Sequence, residues 1–365
     1  MLGYRRNVRI RMNRINRLGG LKLCFHGSTT WDGILDFSTN VYPVTMPNNV
    51  IAEIVKALDG IDKYPDSESR VLREKISEEY NLTPDCVIAG NGSTELIRLI
   101  AFCFGDGISF IPQPTFSEYE YSILLYGGNV VSSRIPEEKD FLLTEKVLGE
   151  MPEDTKLVFL CNPNNPTGRS IPENTMYSFL EEARNRDVLV VVDEVYQELS
   201  DSYSLIEKMA EFDNIIVLRS LTKAYGLCGL RLGYAVADEK TMGILDKVRP
   251  PWNVNAIAQR AGILCINHPY VRGIKGEVKK SKEILKRALR KFPLTVIPSE
   301  TNFFLINVRE TRYNSSELTE LLLAKGVYVR DCSSFPHLDK DYIRVGVKTK
   351  EMNEILIEKL GEVLE

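Results

Sequence analysis

The residues best placed to do chemistry lie in one stretch, 214–235, where the apolar run Ile215 to Leu218 is followed at once by Ser220, Thr222 and Lys223. Such a run reads as a buried strand. A lysine at its end is poorly hydrated; burial disfavours the charged form and leaves an amine able to attack a carbonyl. A glycine-rich passage follows, with Gly226, Gly229 and Gly233 around Arg231. Ser220 and Arg231 offer a hydroxyl and a planar guanidinium to a phosphate, and the glycines let backbone approach closely. Lys223 alone could be an ordinary solvated lysine. Ser-x-x-Lys with an arginine eight residues further on points instead to an amine beside an anion site.

Four other stretches carry similar promise. Gly90-Asn91-Gly92-Ser93-Thr94-Glu95 stands between an apolar run and a helical pattern, where free N–H groups and the helix dipole suit a phosphate; a plain N-cap turn would look the same. A dinucleotide fingerprint is incomplete there, because Glu95 takes its sixth position. Val190 to Val192 end on Asp193, three residues before Tyr196. That carboxylate either caps a helix or enters a buried crevice, where it needs a cation or hydrogen bonds. Asn162-Pro163-Asn164-Asn165-Pro166-Thr167-Gly168 and Pro114-Thr115-Phe116 each follow a further apolar run.

The elements that must position these groups alternate. Apolar runs at 87–89, 108–111, 130–132, 157–160, 188–192 and 215–218 are interleaved with helical patterns at 94–104, 116–126, 173–186 and 239–248. That order predicts an α/β fold with a mainly parallel sheet covered on both faces, and ligands beyond the carboxyl ends of its strands. Before it, Asn49 is placed to cap a helix over 50–58, and a second helix is expected over 68–80. After residue 250 the pattern changes to helices near 256–266, 271–291, 315–325 and 350–364 with short strands at 294–297, 303–308, 327–330 and 342–347. The expected organisation is a basic arm (1–22), a segment packing with the small domain (23–48), a large domain (49–250) and a smaller α+β domain (251–365).

Composition narrows the function. The 365 residues are 44% hydrophobic and 26% charged with a formal net charge of −4, which argues against a nucleic-acid partner. The longest apolar candidate, 96–111, is interrupted by Arg98 and Asp106, so no membrane span is expected. Seven cysteines without C-x-x-C spacing suggest a reducing, cytoplasmic setting, and three distant histidines give no metal site. Arg5, Arg6, Arg9, Arg11, Arg14 and Arg17 make the first seventeen residues basic; no function is assigned to them.

From about Leu35 to the C-terminus the chain resembles the pyridoxal 5′-phosphate (PLP) enzymes of the aspartate-aminotransferase fold, fold type I, on the residues just quoted. The resemblance implies that Lys223 carries the cofactor and Asp193 holds its ring nitrogen. It places Asn165 and Tyr196 on the ring oxygen, Phe116 against the ring face, and Gly92, Ser93, Thr94, Ser220, Thr222 and Arg231 around the phosphate. Tyr64, in Tyr-Pro-Asp, matches the tyrosine that reaches a neighbouring subunit's cofactor, which implies a homodimer with shared active sites. Within this fold the chain is similar to the histidinol-phosphate aminotransferase group and, there, to threonine-phosphate decarboxylases of cobalamin biosynthesis. His26-Gly27, Leu35-Asp36-Phe37-Ser38-Thr39-Asn40, Pro251-Trp252-Asn253-Val254-Asn255 and Arg330-Asp331-Cys332-Ser333-Ser334-Phe335-Pro336 carry that likeness. His26, Asn40, Arg330 and Arg344 would then surround a small phosphorylated amino acid. The expected activity is decarboxylation of L-threonine-O-3-phosphate, with amino transfer of the histidinol-phosphate type as the alternative. Which bond breaks depends on which one is held perpendicular to the ring.

Overall fold

The computed structural model describes residues 19–21, 23–24, 27–28 and 31–365. In chain order the strands are β1 (Leu35–Asp36), β2 (Val87–Gly90), β3 (Ile108–Phe110), β4 (Asn129–Val131), β5 (Thr155–Cys161), β6 (Leu189–Asp193) and β7 (Ile215–Ser220). They continue as β8 (Gly233–Val236), β9 (Thr295–Val296), β10 (Phe303–Asn307), β11 (Val327–Tyr328), β12 (Arg330–Asp331) and β13 (Tyr342–Gly346). Seven form one sheet in the order β2-β8-β7-β6-β5-β3-β4. All its pairings are parallel except those of β8, which runs antiparallel to both β2 and β7.

The central strands are apolar on both faces because both faces are covered. Leu157, Phe159, Val191, Ile216 and Leu218 share a core with helices Ser93–Phe104, Glu118–Tyr126 and Glu239–Val248. Val158, Leu160, Val190, Val192 and Val217 point the other way, towards Met176, Phe179, Leu180 and Ala183 of helix Glu173–Asn185. Val190, Val191 and Val192 have no exposed surface; burying one such side chain stabilises the fold by about 1.5–3 kcal/mol. Asp193 and Ser220 therefore end β6 and β7 on rigid supports.

A second, antiparallel sheet, β12-β13-β10-β9, lies beside this layer with helices Pro269–Leu289, Ser315–Ala324 and Lys350–Leu364. β1 pairs in parallel with β11, which brings the segment after Asp36 onto this smaller sheet. Two expectations need correction. Gly233–Val236, read from sequence only as part of a glycine-rich passage, is a central strand; its four residues leave too short a run to separate from the glycines before it. Asn49 is not a cap, because the helix begins at Asn48 with Pro47 in the cap position and no side-chain cap bond. Among the described residues no helix is long and apolar enough to cross a membrane, and no three His, Cys, Asp or Glu side chains group as metal ligands.

Candidate active site

A cavity of about 880 Å³ opens beyond the carboxyl ends of β5, β6 and β7, between the two sheets. On the large-sheet side it is lined by Ser93, Thr94, Phe116, Asn165, Asp193, Tyr196, Ser220, Thr222, Lys223 and Arg231. On the other side it is lined by Asn40, Arg330 and Arg344. Residues scattered over three hundred positions of sequence thus meet in one place. Tyr64 lies outside this chain's cavity, 81% exposed, with its ring 4.6 Å from that of Trp252. His26 lies outside the described residues, as do residues 1–18 and 22 of the basic arm.

The anion end is built from backbone. Gly92, at φ 76°, precedes Ser93, the first residue of helix Ser93–Phe104, so unpaired amides of the first turn face the cavity. A Cβ on Gly92 would lie 2.8 Å from Arg231 Nη2, and one on Gly233 would lie 2.7 Å from the Ser93 amide. Both glycines hold open a cradle that a methyl group would fill. Ser220 Oγ and Thr222 Oγ1 are 2.6 Å apart, completing a ring of small donors. Glu95 turns away from it and accepts from the Asn91 amide (2.6 Å) and Asn253 Nδ2 (2.7 Å), so the residue that breaks the dinucleotide fingerprint is a brace.

At the strand ends the two ionisable groups are perturbed in opposite senses. Burial pushes the Asp193 carboxyl up to about 6, against the Tyr119 hydroxyl, which donates to Oδ2 at 2.6 Å, and the Val195 amide, which donates to Oδ1 at 3.1 Å. Both partners are neutral. Burial, and then the Arg344 and Arg231 charges, push the Lys223 ammonium down to about 8. Among the described residues Lys223 Nζ has no hydrogen-bond partner, so no acceptor holds it in the ammonium form. Burial also raises the Tyr196 hydroxyl, whose oxygen accepts from Asn40 Nδ2 at 2.9 Å. Of the amides in the proline-rich turn, Asn162 Oδ1 accepts from the Ile171 amide, and Asn164 Nδ2 donates to Pro114 O and Thr167 Oγ1. Asn165 faces the cavity and accepts from Arg344 Nη1.

The opposite wall is cationic. Arg330 and Arg344 are directly paired across β12 and β13, and both side chains are buried. Like charges placed opposite each other on a sheet are destabilising, so the pair favours an anionic ligand in the cavity. Arg344 Nη2 donates to Ser38 O at 2.7 Å, while its buried Nε has no partner among the described residues. Sequence reasoning missed two residues here. Tyr119 sits inside a helix with no local signal of its link to Asp193. Lys348, 4% exposed, lines the same cavity four residues beyond Arg344 in Arg-Val-Gly-Val-Lys; the apolar residues between them were the only signal that it is not solvated.

The donor set fits a pyridoxal phosphate. It offers a phosphate cradle at a helix start, an amine kept partly neutral, and a buried carboxylate whose hydrogen-bond partners carry no charge. Comparison with known proteins agrees. The profile of the family "aminotransferase class I and II" matches residues 32–360. The chain is 34% identical over 340 residues to a histidinol-phosphate aminotransferase of Methanococcus aeolicus, with 91% of each chain covered. It is 36% identical over 323 residues to histidinol-phosphate aminotransferase 2 of Carboxydothermus hydrogenoformans, with 87% of each covered. Among solved structures it is similar to the histidinol-phosphate aminotransferase from Clostridium acetobutylicum, at TM-score 0.84 and 26% identity over 90% of this chain and 99% of that one. It is also similar to the L-threonine-O-3-phosphate decarboxylase from Porphyromonas gingivalis, at TM-score 0.81 and 27% identity over 91% and 99%.

Proposed function

We propose, for a chain that belongs to the class I and II aminotransferases, amino transfer between a phosphorylated amine of the histidinol-phosphate type and a keto acid. Enzymes of this family use pyridoxal 5′-phosphate. The observation that carries the reading is the cross-strand pair Arg330 and Arg344, aimed into the same cavity as Lys223. A phosphate ester and a keto acid with a second carboxylate both present anions to that pair, so one wall serves both halves of the exchange. The relatives at 34% and 36% identity put this activity ahead of the decarboxylation that the sequence motifs favoured.

In this reading the cofactor, when bound, supplies an electron sink that weakens a bond at the amine-bearing carbon. The chain does the rest. Ser93, Thr94, Ser220, Thr222 and Arg231 hold the phosphate, with Gly92 keeping the backbone close. Asp193 holds the ring nitrogen and is itself held by Tyr119; Asn165 and Tyr196 hold the ring oxygen, and Phe116 covers the ring face. Lys223 Nζ holds the cofactor at rest and moves the proton at the substrate carbon. Arg344 and Arg330 orient the substrate so that its C–H bond faces Lys223. Residues 49–250 thus serve the cofactor, while 251–365 with the 23–48 segment serve the substrate.

A homodimer accompanies this reading. Tyr64 and Trp252 form an exposed aromatic pair beside Ile61, which is 70% exposed, and such a surface suits a second copy whose cofactor Tyr64 would reach.

One observation keeps a second reading, threonine-phosphate decarboxylation, in play. The Arg330 guanidinium lies over the Phe335 ring (5.4 Å) in the Arg-Asp-Cys-Ser-Ser-Phe-Pro stretch whose sequence resembles the decarboxylases. The two readings separate in one assay. Histidinol phosphate should lose more than one amine per cofactor only when a keto acid is present, and threonine phosphate should release no carbon dioxide. Keto-acid-independent release of carbon dioxide from threonine phosphate would reverse the order.

A further inference from the structure

Five consecutive carbonyls of the segment 37–41 are each taken by a donor from the smaller sheet or its flanks. Phe37 O accepts from the Gly346 amide (2.8 Å), Ser38 O from Arg344 Nη2 (2.7 Å), and Asn40 O from Asn302 Nδ2 (3.1 Å). The other two, Thr39 O (3.1 Å) and Val41 O (2.7 Å), share one donor, the ammonium of Lys348. Gly346 has to be glycine for this to work, since a Cβ there would lie 2.5 Å from Thr39 O. Lys348 is itself fixed at the main chain, where Asn353 Oδ1 accepts from its amide and Asn353 Nδ2 donates to its carbonyl. The segment is therefore a strap across the cavity. Its one outward amide of consequence is Asn40 Nδ2, which donates to Tyr196 Oη.

Arg344 is the tie that function would disturb. If its guanidinium turns to a substrate anion, the strap loses the bond at Ser38 O while the substrate is bound. The two bonds from Lys348 flank Asn40 on either side and do not involve Arg344. We infer that Lys348 is a positioning residue: it holds the strap, and with it Asn40 against Tyr196, so that Arg344 is free to serve the substrate. The kinetic side of this inference rests on the aminotransferase reading; the structural side does not.

The test is hydrogen–deuterium exchange of the full-length holoenzyme together with a double-mutant cycle. In Lys348→Met, peptides spanning 36–42 should exchange about tenfold faster, while peptides within β5 and β6 stay protected. Lys348→Arg, which can donate to both carbonyls, should restore protection. With histidinol phosphate and a keto acid, Lys348→Met and Asn40→Ala should each lower kcat by about tenfold, and the double variant should lose little more than either, since both break one chain of contacts. Unchanged strap exchange in Lys348→Met, or losses that multiply in the double variant, would overturn the inference. Should Lys348→Met expose β5 and β6 as well, Lys348→Gln, with a single amide donor, takes its place under the same criteria. A wild type that turns over no phosphorylated amine sinks the proposed function, while the exchange result still decides the strap.

Discussion

The cavity has two walls, and each carries a lysine, Lys223 half-buried and Lys348 buried. Lys223 follows β7 on the large sheet, and Lys348 follows β13 on the smaller one; burial first, then neighbouring cations, pushes each ammonium down to about 8. Their surroundings differ in one respect. Lys348 is caged by the carbonyls of Thr39 and Val41, which bind its hydrogens. Lys223 has no acceptor among the described residues. A depressed pKa alone therefore does not mark a nucleophile; the amine must also be free of acceptors that hold its hydrogens and favour the ammonium. The walls differ in the same spirit. The large-sheet wall holds its anion with main-chain amides and short hydroxyls on rigid strand ends, suited to a ligand that stays. The other wall uses long cationic side chains tied to a strap, suited to ligands that come and go.

The largest expected effect breaks that contrast outright. Lys223→Ala should abolish covalent retention of the cofactor and lower turnover by about 10⁴-fold or more, whereas Lys348→Ala should keep the cofactor attached; visible absorbance after gel filtration reads this directly. Next, Arg344→Met should lower kcat/KM for an anionic substrate by about a hundredfold and leave cofactor affinity nearly unchanged, as steady-state kinetics and cofactor titration would report. A smaller effect is on pH. Only the neutral amine attacks, so the rate of pyridoxal phosphate uptake by cofactor-free protein should rise with pH and level off above about 8. Because the Arg344 charge helps depress Lys223, Arg344→Met should move that midpoint upward. Stability has a linked sign. Lys223 titrates near 8 folded but near 10.5 unfolded, so between those values the unfolded chain binds the extra proton, and cofactor-free protein gains stability as pH rises through that window. The smallest effect falls within the large-sheet wall. Gly92→Ala, strained at φ 76° and crowding Arg231, should weaken cofactor binding by about three- to tenfold and lower stability by about 1 kcal/mol.

Much of the large-sheet wall was legible in the sequence, for a physical reason. Strand-end motifs such as Val-Val-Val-Asp193 and Ser220-x-x-Lys223 keep support and functional group within a few residues, so local pattern reports on both. β8 escaped because Gly233 reads as loop, although its missing side chain is what lets the strand pass the Ser93 amide. The other wall was legible only in part. Arg330 and Arg344 stood out by resemblance, but their facing register depends on pairing between two short strands that carry no spacing signal. Lys348 and Tyr119 were invisible for the same reason: each acts on a partner far away in sequence, the strap at 39–41 and the carboxylate at 193. The decarboxylase-like wording of the strap and of the Arg330 loop pointed the reaction one way, and relatives over the whole chain point it the other. Short motifs name the parts of this wall but not the orientation it imposes.

The most direct test is to fix the resting cofactor with borohydride, digest the protein and locate the added mass. The mass is expected on the peptide carrying Lys223 and not on the peptide carrying Lys348. Finding it on Lys348, or on neither lysine, would contradict the assignment on which both the site and the proposed reaction rest.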